Sequence, residues 1–298
     1  MKFLYALSTF AGTLIGVGFF SLPYLASKTG LLIISLELIV LGIIVIIIHL
    51  LLAEIVIVAP DRHMLPGYAK YYLGRAGGII AAVASILSLV LALLAYLIVG
   101  GGFLQNLLAP ASQASPFFYI LIYFAAGAFL IFFEVKGLGK SELVLLALFF
   151  LILIIFSAFG WPQMKMQNLS FLNIKKFYLP FGAILFSLWA TSIVPGLRGF
   201  FSHQGKLNKQ ASQKLRAVII LGVILGIICY FIFTMIILGL GGAETSHSAL
   251  AGLSAFLPGR IVWLGLIFGI IATFTSFIGL GFALKKTLIL DLKMNKYL

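Results

Sequence analysis

The chain has 298 residues, 63% of them hydrophobic and only 9% charged, with a mean hydropathy of +1.22. That balance excludes a soluble enzyme or binding domain and leaves an all-α polytopic membrane protein. The net charge of +13 does not point to nucleic acid: with the N-terminus inside, 15 Lys and Arg fall on the inner face and five on the outer, a positive-inside bias set against anionic lipid.

Eight apolar segments are read, at 3–26, 31–58, 78–108, 117–135, 142–161, 178–201, 215–241 and 259–284. The first is not a cleavable signal, because it has no small-residue cleavage site. It contains Gly12, Gly16, Gly18 and Pro23 in the run from Ala11 to Pro23. In a helix interior each glycine costs roughly 1 kcal/mol relative to alanine, and proline about 3. Such weak points are placed where backbone must face a ligand at mid-membrane depth. Helix packing through small-xxx-small spacing of Gly12 and Gly16 is the alternative.

The second segment carries Glu37, His49 and Glu54. Ionisable groups at such depth are functional candidates. Glu37 is placed within reach of water or Lys28, Glu54 is read as structural or a gate, and His49 as a hydrogen-bonded helix contact over a proton relay. After Pro66 the next loop reads as a short amphipathic helix on the inner surface. Asp61, Arg62 and His63 lack metal-ligand spacing and read as solvated charge. The third segment ends at Gly100-Gly101-Gly102, which lacks the strand and lysine of a phosphate loop and reads as close helix packing. Between segments four and five, Glu134 and Glu142 pair with Lys136 and Lys140 at low energetic value. The outer loop from Pro162 to Lys176 has no catalytic spacing.

In the sixth segment Pro180 suits a first helical turn. Pro195 cannot donate to the Thr191 carbonyl, and its ring opens that turn. Ser187, Thr191 and Ser192 put hydroxyls beside the freed backbone; a kink used for packing alone is the alternative. The first and sixth segments run in opposite directions, which is the pattern of an inverted-repeat transporter. Cys229, the only cysteine, cannot form an internal disulfide and is expected to be buried. In the eighth segment, Thr275 and Ser276 either bond to their own helix or supply hard oxygen ligands to a small cation.

The first segment with Leu22-Pro23, Ala53-Glu54 leading to Pro60, the run Gly67–Gly74, and Phe186–Trp189 with Val194-Pro195 together resemble the aromatic and hydroxy amino acid (tryptophan/tyrosine) permeases. These belong to the amino acid–polyamine–organocation superfamily, with the leucine-transporter fold. The resemblance covers essentially the whole chain and implies one transmembrane domain, 1–298, with a first five-helix repeat at 1–161 and a partial second at 178–298, helices 1 and 6 being broken. It implies a substrate carboxylate on the amides of Gly16, Val17 and Gly18, near Thr13; an ammonium on carbonyls of Ser187 and Leu188; and a side-chain pocket from Trp189, Thr191 and Ser192. Helix dipoles favour the anion at that place. It further implies a sodium ion held by Gly12, Ile15, Ala272, Thr275 and Ser276, although proton-coupled members carry similar hydroxyls. Two features depart from the pattern: Thr191 stands where relatives often have histidine, and two helices of the second repeat are missing, as in a fragment or a short form.

The reading is an ion-coupled amino acid symporter of the inner membrane, its N-terminus cytoplasmic, with sodium or a proton as coupling ion and no other cofactor. A non-transporting binder or receptor-like relative of the fold is the alternative. An intramembrane enzyme is not expected, since no nucleophile–base spacing or metal cluster is present.

Overall fold

The computed structural model describes residues 1–61, 63–108, 114–133, 138–202, 207–247, 249 and 258–294. Among them the chain is almost entirely helical and has no strand. In order the helices are α1 (Lys2–Leu14), α2 (Leu22–Thr29), α3 (Leu31–Val58), α4 (Leu65–Leu108), α5 (Pro116–Phe132), α6 (Leu138–Gly160), α7 (Phe181–Leu188), α8 (Val194–Phe201), α9 (Lys209–Gly241) and α10 (Gly259–Lys286). Five of them, α3, α4, α6, α9 and α10, are long and apolar enough to cross a membrane, and α5 is a shorter apolar helix. The first and sixth apolar segments are each divided between two helices, α1 with α2 and α7 with α8.

The apolar faces are sorted as lipid requires. On α3, Leu32, Leu36, Ile39, Ile43, Ile47 and Leu51 are exposed, while Ile34, Leu38, Leu41, Val45, His49, Leu52 and Val56 are buried. In water such a stripe would be a docking or aggregation surface; against hydrocarbon it is not penalised. The surface helix expected after Pro66 forms the start of α4. It is set off by Gly74 at φ 75° and ψ −169°, a backbone conformation open to glycine and closed to most side chains. The spanning part therefore starts a few residues earlier than the expected 78.

α1 lies in the middle of the bundle, against α6, α8, α9 and α10, while α3 packs on α7, α8 and α9, and α10 on α4, α5 and α6. Polar clips hold the end of the bundle where α1 begins. Arg198 on α8, only 3% exposed, donates through its guanidinium to the carbonyls of Val56, Ala59 and Asp61 at 2.8–3.2 Å. It thereby caps the C-terminus of α3, whose dipole end favours a cation. Asp291 accepts from the amides of Met64 and Gly67 at 3.1 and 2.8 Å, capping the surface helix, and His63 lies 3.5 Å from it. Glu54 takes both arms of Arg216 on α9, at 2.6 and 2.9 Å. Both side chains are nearly half exposed, so the pair is expected to contribute little. Glu54→Gln should lower stability by only about 0.5–1 kcal/mol, read as a small fall in Tm in detergent. At the opposite end the long loop is fixed by Lys165 N to Gly239 O, Asn168 Nδ2 to the same carbonyl, and Asn173 N to Thr29 O.

One charge pairing expected from the sequence is different in the structure, and the pairing of Glu134 and Glu142 with Lys136 and Lys140 involves residues outside those described. Lys28 does not reach Glu37; its Nζ sits 5.1 Å from the centre of the Tyr24 ring. Glu37 is 4% exposed, and neither carboxyl oxygen has a hydrogen-bond partner among the described residues. Glu142 turns inward and accepts from Thr9 Oγ1 on α1. Glu134, Lys136, Arg62 and the Lys140 side chain lie outside the described residues. Cys229 is buried in α9.

Candidate functional site

The site is built where α1 stops. Its last regular bond runs from Ile15 N to Ala11 O. Ile15 (φ −79°, ψ 80°) and Gly16 (φ −126°, ψ −149°) then leave the helical region, and a tight 3-10 turn, Val17–Phe20, leads into α2 with Pro23 in its first turn. Gly16 N–H bonds to Leu14 O at 2.9 Å and not to Gly12 O, its helical partner. The freed Gly12 carbonyl accepts from Ser276 Oγ at 2.9 Å. The turn is held by its two phenylalanines, both fully buried. Phe19 stacks on Phe233 at 4.0 Å and Phe20 meets Phe103 edge-on at 4.7 Å. Phe149 and Phe268 complete the cluster, stacked at 4.4 Å.

A second interruption, residues 189–193, separates α7 from α8. Pro195 lies in the first turn of α8, so it starts a new helix, where its missing N–H costs nothing, instead of kinking a continuous one. Ala190 N–H donates to Nε2 of His49 at 3.0 Å, and Nδ1 of the same ring lies 2.6 Å from Val45 O. One arrangement satisfies both bonds: Nδ1 carries the proton and Nε2 accepts. The ring is fully buried and meets Phe10 and Trp189 edge-on at 5.7 and 6.0 Å.

The two interruptions touch. Tyr230 Oη donates to Leu14 O at 2.5 Å and lies 3.2 Å from Ser187 O, so one hydroxyl spans both. A Cβ at Gly18 would stand 1.9 Å from Ser187 Oγ, and one at Gly16 would stand 1.8 Å from Tyr96 Oη. Only glycine permits these approaches. Gly12, by contrast, has nothing within 4 Å of its absent Cβ, so close packing is not its role. The Tyr96 hydroxyl also faces Val17 N–H and the Ser276 hydroxyl.

Of the residues assigned to substrate, the structure gathers Gly16, Val17, Gly18, Ser187 and Leu188 at this contact, all buried. Ser187 Oγ donates to Ala183 O at 2.6 Å, and its carbonyl faces Tyr230. Thr13 donates to Thr9 O within its own helix. Thr191 and Ser192 are half-buried and Trp189 is 42% exposed. Of the assigned cation ligands, Gly12, Ile15, Ala272 and Thr275 line a cavity of about 20 Å³ together with Thr9, Thr13 and Glu142. Ser276 is drawn away from it, bonded to Gly12 O and Ala272 O. Thr275 bonds back to Ile271 O and Ala272 O. These oxygens are of the hard type that an alkali cation takes. Tyr96, Tyr230, the bond from His49 to Ala190, and Glu142 were not assigned to the site from the sequence. The one available signal was a tyrosine hydroxyl in the middle of an apolar run, which needs a buried partner.

No curated protein matches the chain by sequence. Solved structures match it by fold. The crystal structure of MhsT in complex with L-phenylalanine aligns with a TM-score of 0.70 at 15% identity, over 99% of this chain and 75% of that one. Mhp1, a nucleobase-cation-symport-1 family transporter in a closed conformation with bromovinylhydantoin bound, gives 0.68 at 14%, over 98% and 66%. A manganese transporter from Eremococcus coleocola gives 0.60 at 15%, over 99% and 66%. The chain thus spans about two thirds to three quarters of these proteins' lengths, and at such identities the likeness is of fold alone. Sequence goes further, for the model of the tryptophan/tyrosine permease family matches residues 1–297. The chain belongs to that family, a family of membrane transporters and not of enzymes.

Proposed function

We propose that the protein is a secondary active transporter that moves an amino acid across the cytoplasmic membrane, its N-terminus inside, coupled to a sodium or proton gradient. The observation that carries this reading is the contact between the two interruptions, where Gly16 and Gly18 meet Tyr96 and Ser187 and Tyr230 bridges both. Interrupted helices at mid-membrane are where transporters place their ligand. The amides of Val17 and Gly18 and the hydroxyl of Tyr96 suit a carboxylate. The carbonyls of Ser187 and Leu188 suit an ammonium, with Trp189, Thr191 and Ser192 toward the substrate side chain. Tyr96 and Ser187 sit directly on the glycines, so substrate enters as these side chains move aside. A coupling ion would use Gly12, Ile15, Ala272, Thr275 and Ser276.

An amino acid is favoured over a metal ion as cargo. MhsT, of similar fold, binds L-phenylalanine, while the described residues include no group of three His, Cys, Asp or Glu side chains that would hold a metal. The test is uptake into liposomes of a labelled mixture of aromatic and hydroxy amino acids under a sodium gradient, a proton gradient or neither. Accumulation above the external concentration is expected under one of the two gradients. Binding without accumulation would favour the receptor-like alternative.

A further inference from the structure

Glu142 stands in the sequence as the acidic neighbour of loop lysines, yet its carboxylate points into the bundle. It accepts from Thr9 Oγ1 and walls the cavity of about 20 Å³ shared with Gly12, Ile15, Ala272 and Thr275. A space of that size admits one water-sized guest. The other lining residues that carry oxygens suited to a cation include Gly12, Thr13 and Ile15 at the C-terminal end of α1, where the helix dipole is negative, with Thr9 and Thr275. All of these are uncharged. A cation held by them alone would keep a full charge out of water, at a cost of several kcal/mol. Among the described residues Glu142 is the one carboxylate on the cavity wall. Lys286 on α10 attracts it electrostatically, but the ion pairs found among the described residues are His63 with Asp291 and Glu54 with Arg216. Among the described residues, no cation thus lies within ion-pair distance of Glu142.

We infer that Glu142 is the charge-bearing ligand of a sodium site formed jointly by α1, α6 and α10. The inference rests on the ion-coupled reading above and adds a third helix to the ion's cage. Because α6 would then hold the same ion as α1 and α10, sodium binding would fasten α6 to the interrupted helix.

The test needs no identified substrate. Sodium that binds the folded protein raises its Tm by mass action, so Tm is followed in NaCl titrations of the purified full chain, with KCl keeping ionic strength constant, alongside binding of radioactive sodium. Glu142→Gln keeps an acceptor for Thr9 and removes only the charge. It is expected to raise the half-saturating sodium concentration about tenfold or more. Thr9→Val removes the hydrogen bond and one uncharged oxygen from the cavity wall but keeps the charge, and should weaken sodium binding clearly less than Glu142→Gln does; a loss as large as that of Glu142→Gln overturns the assignment of the charge-bearing role to Glu142. A wild-type response matched by Glu142→Gln overturns the inference and leaves ion coupling standing, since it makes Glu142 a mere helix clip. Absence of any sodium response in the wild-type chain overturns the inference and leaves the proton as the coupling ion of the reading above. If Glu142→Gln does not fold, Glu142→Asp reads the same point: drawing the carboxylate back by one methylene weakens sodium binding several-fold if it is a ligand, and an unchanged sodium affinity overturns the assignment.

Discussion

Gly16→Val is expected to abolish substrate binding, and Gly16 is the single position where a small change should do the most damage. Its Cβ would lie 1.8 Å from Tyr96 Oη and 2.7 Å from Cζ of the same ring. The whole ring must therefore shift, not just its tip. Overpacking of this kind costs about 1–3 kcal/mol, and the displaced ring belongs to the place proposed for the substrate carboxylate. Packing and recognition are separated by a double-mutant cycle of Gly16→Ala with Tyr96→Ala. The stability changes should couple by about 1–3 kcal/mol, because removing the ring removes the clash. Binding, measured on the folded variants, should stay absent from both Gly16→Val and the double variant. Gly12→Ala, in the same run, is the control. With open space around its Cβ and a helical backbone, it should be neutral or stabilising by up to about 1 kcal/mol. Wild-type affinity in Gly16→Val would reject the placement of the site.

The same comparison shows what could be read from the sequence and what could not. Three glycines and a proline inside an apolar run are local chemistry, so the weak stretch around Gly16 was legible, as was the membrane class. Spacing alone, however, could not tell Gly12 from Gly16. One faces open space and the other a tyrosine ring from α4, and that difference is made by tertiary packing. Pro195 was legible as a break, but its effect depended on whether helix existed on both sides; it begins α8. Glu142 reads in the sequence as a neighbour of loop lysines, whereas the contact with Thr9, 133 residues away, has no local mark. Tyr230 bridges positions 216 and 43 residues distant, and nothing local marks such a contact. Glu37 was given water or Lys28 on grounds of helix position, but burial on the packed face of α3 removes both. Pairings set by the chain's local order were visible; those set by which helix faces which were not.

His49 is the other position where a large effect is expected, and its two proposed roles can be told apart. The ring joins Val45 on α3 to Ala190 in the stretch between α7 and α8. His49→Leu leaves the Ala190 N–H buried without an acceptor, which costs about 1–3 kcal/mol, and loses the edge contacts with Phe10 and Trp189. Tm should fall, and with the 189–193 stretch released, substrate affinity should fall about tenfold, equivalent to roughly 1.4 kcal/mol. His49→Gln supplies a side-chain oxygen that can accept from Ala190, so it should recover most of both losses. Glutamine does not carry a proton at neutral pH, however. If His49→Gln folds, binds and still accumulates substrate under the ion gradient, the histidine works as a clip on the interrupted helix. If it folds and binds but no longer accumulates substrate, His49 is a proton carrier, and the hydrogen bond to Ala190 is the means by which its protonation would reach the binding site, since a doubly protonated ring can no longer accept from that amide.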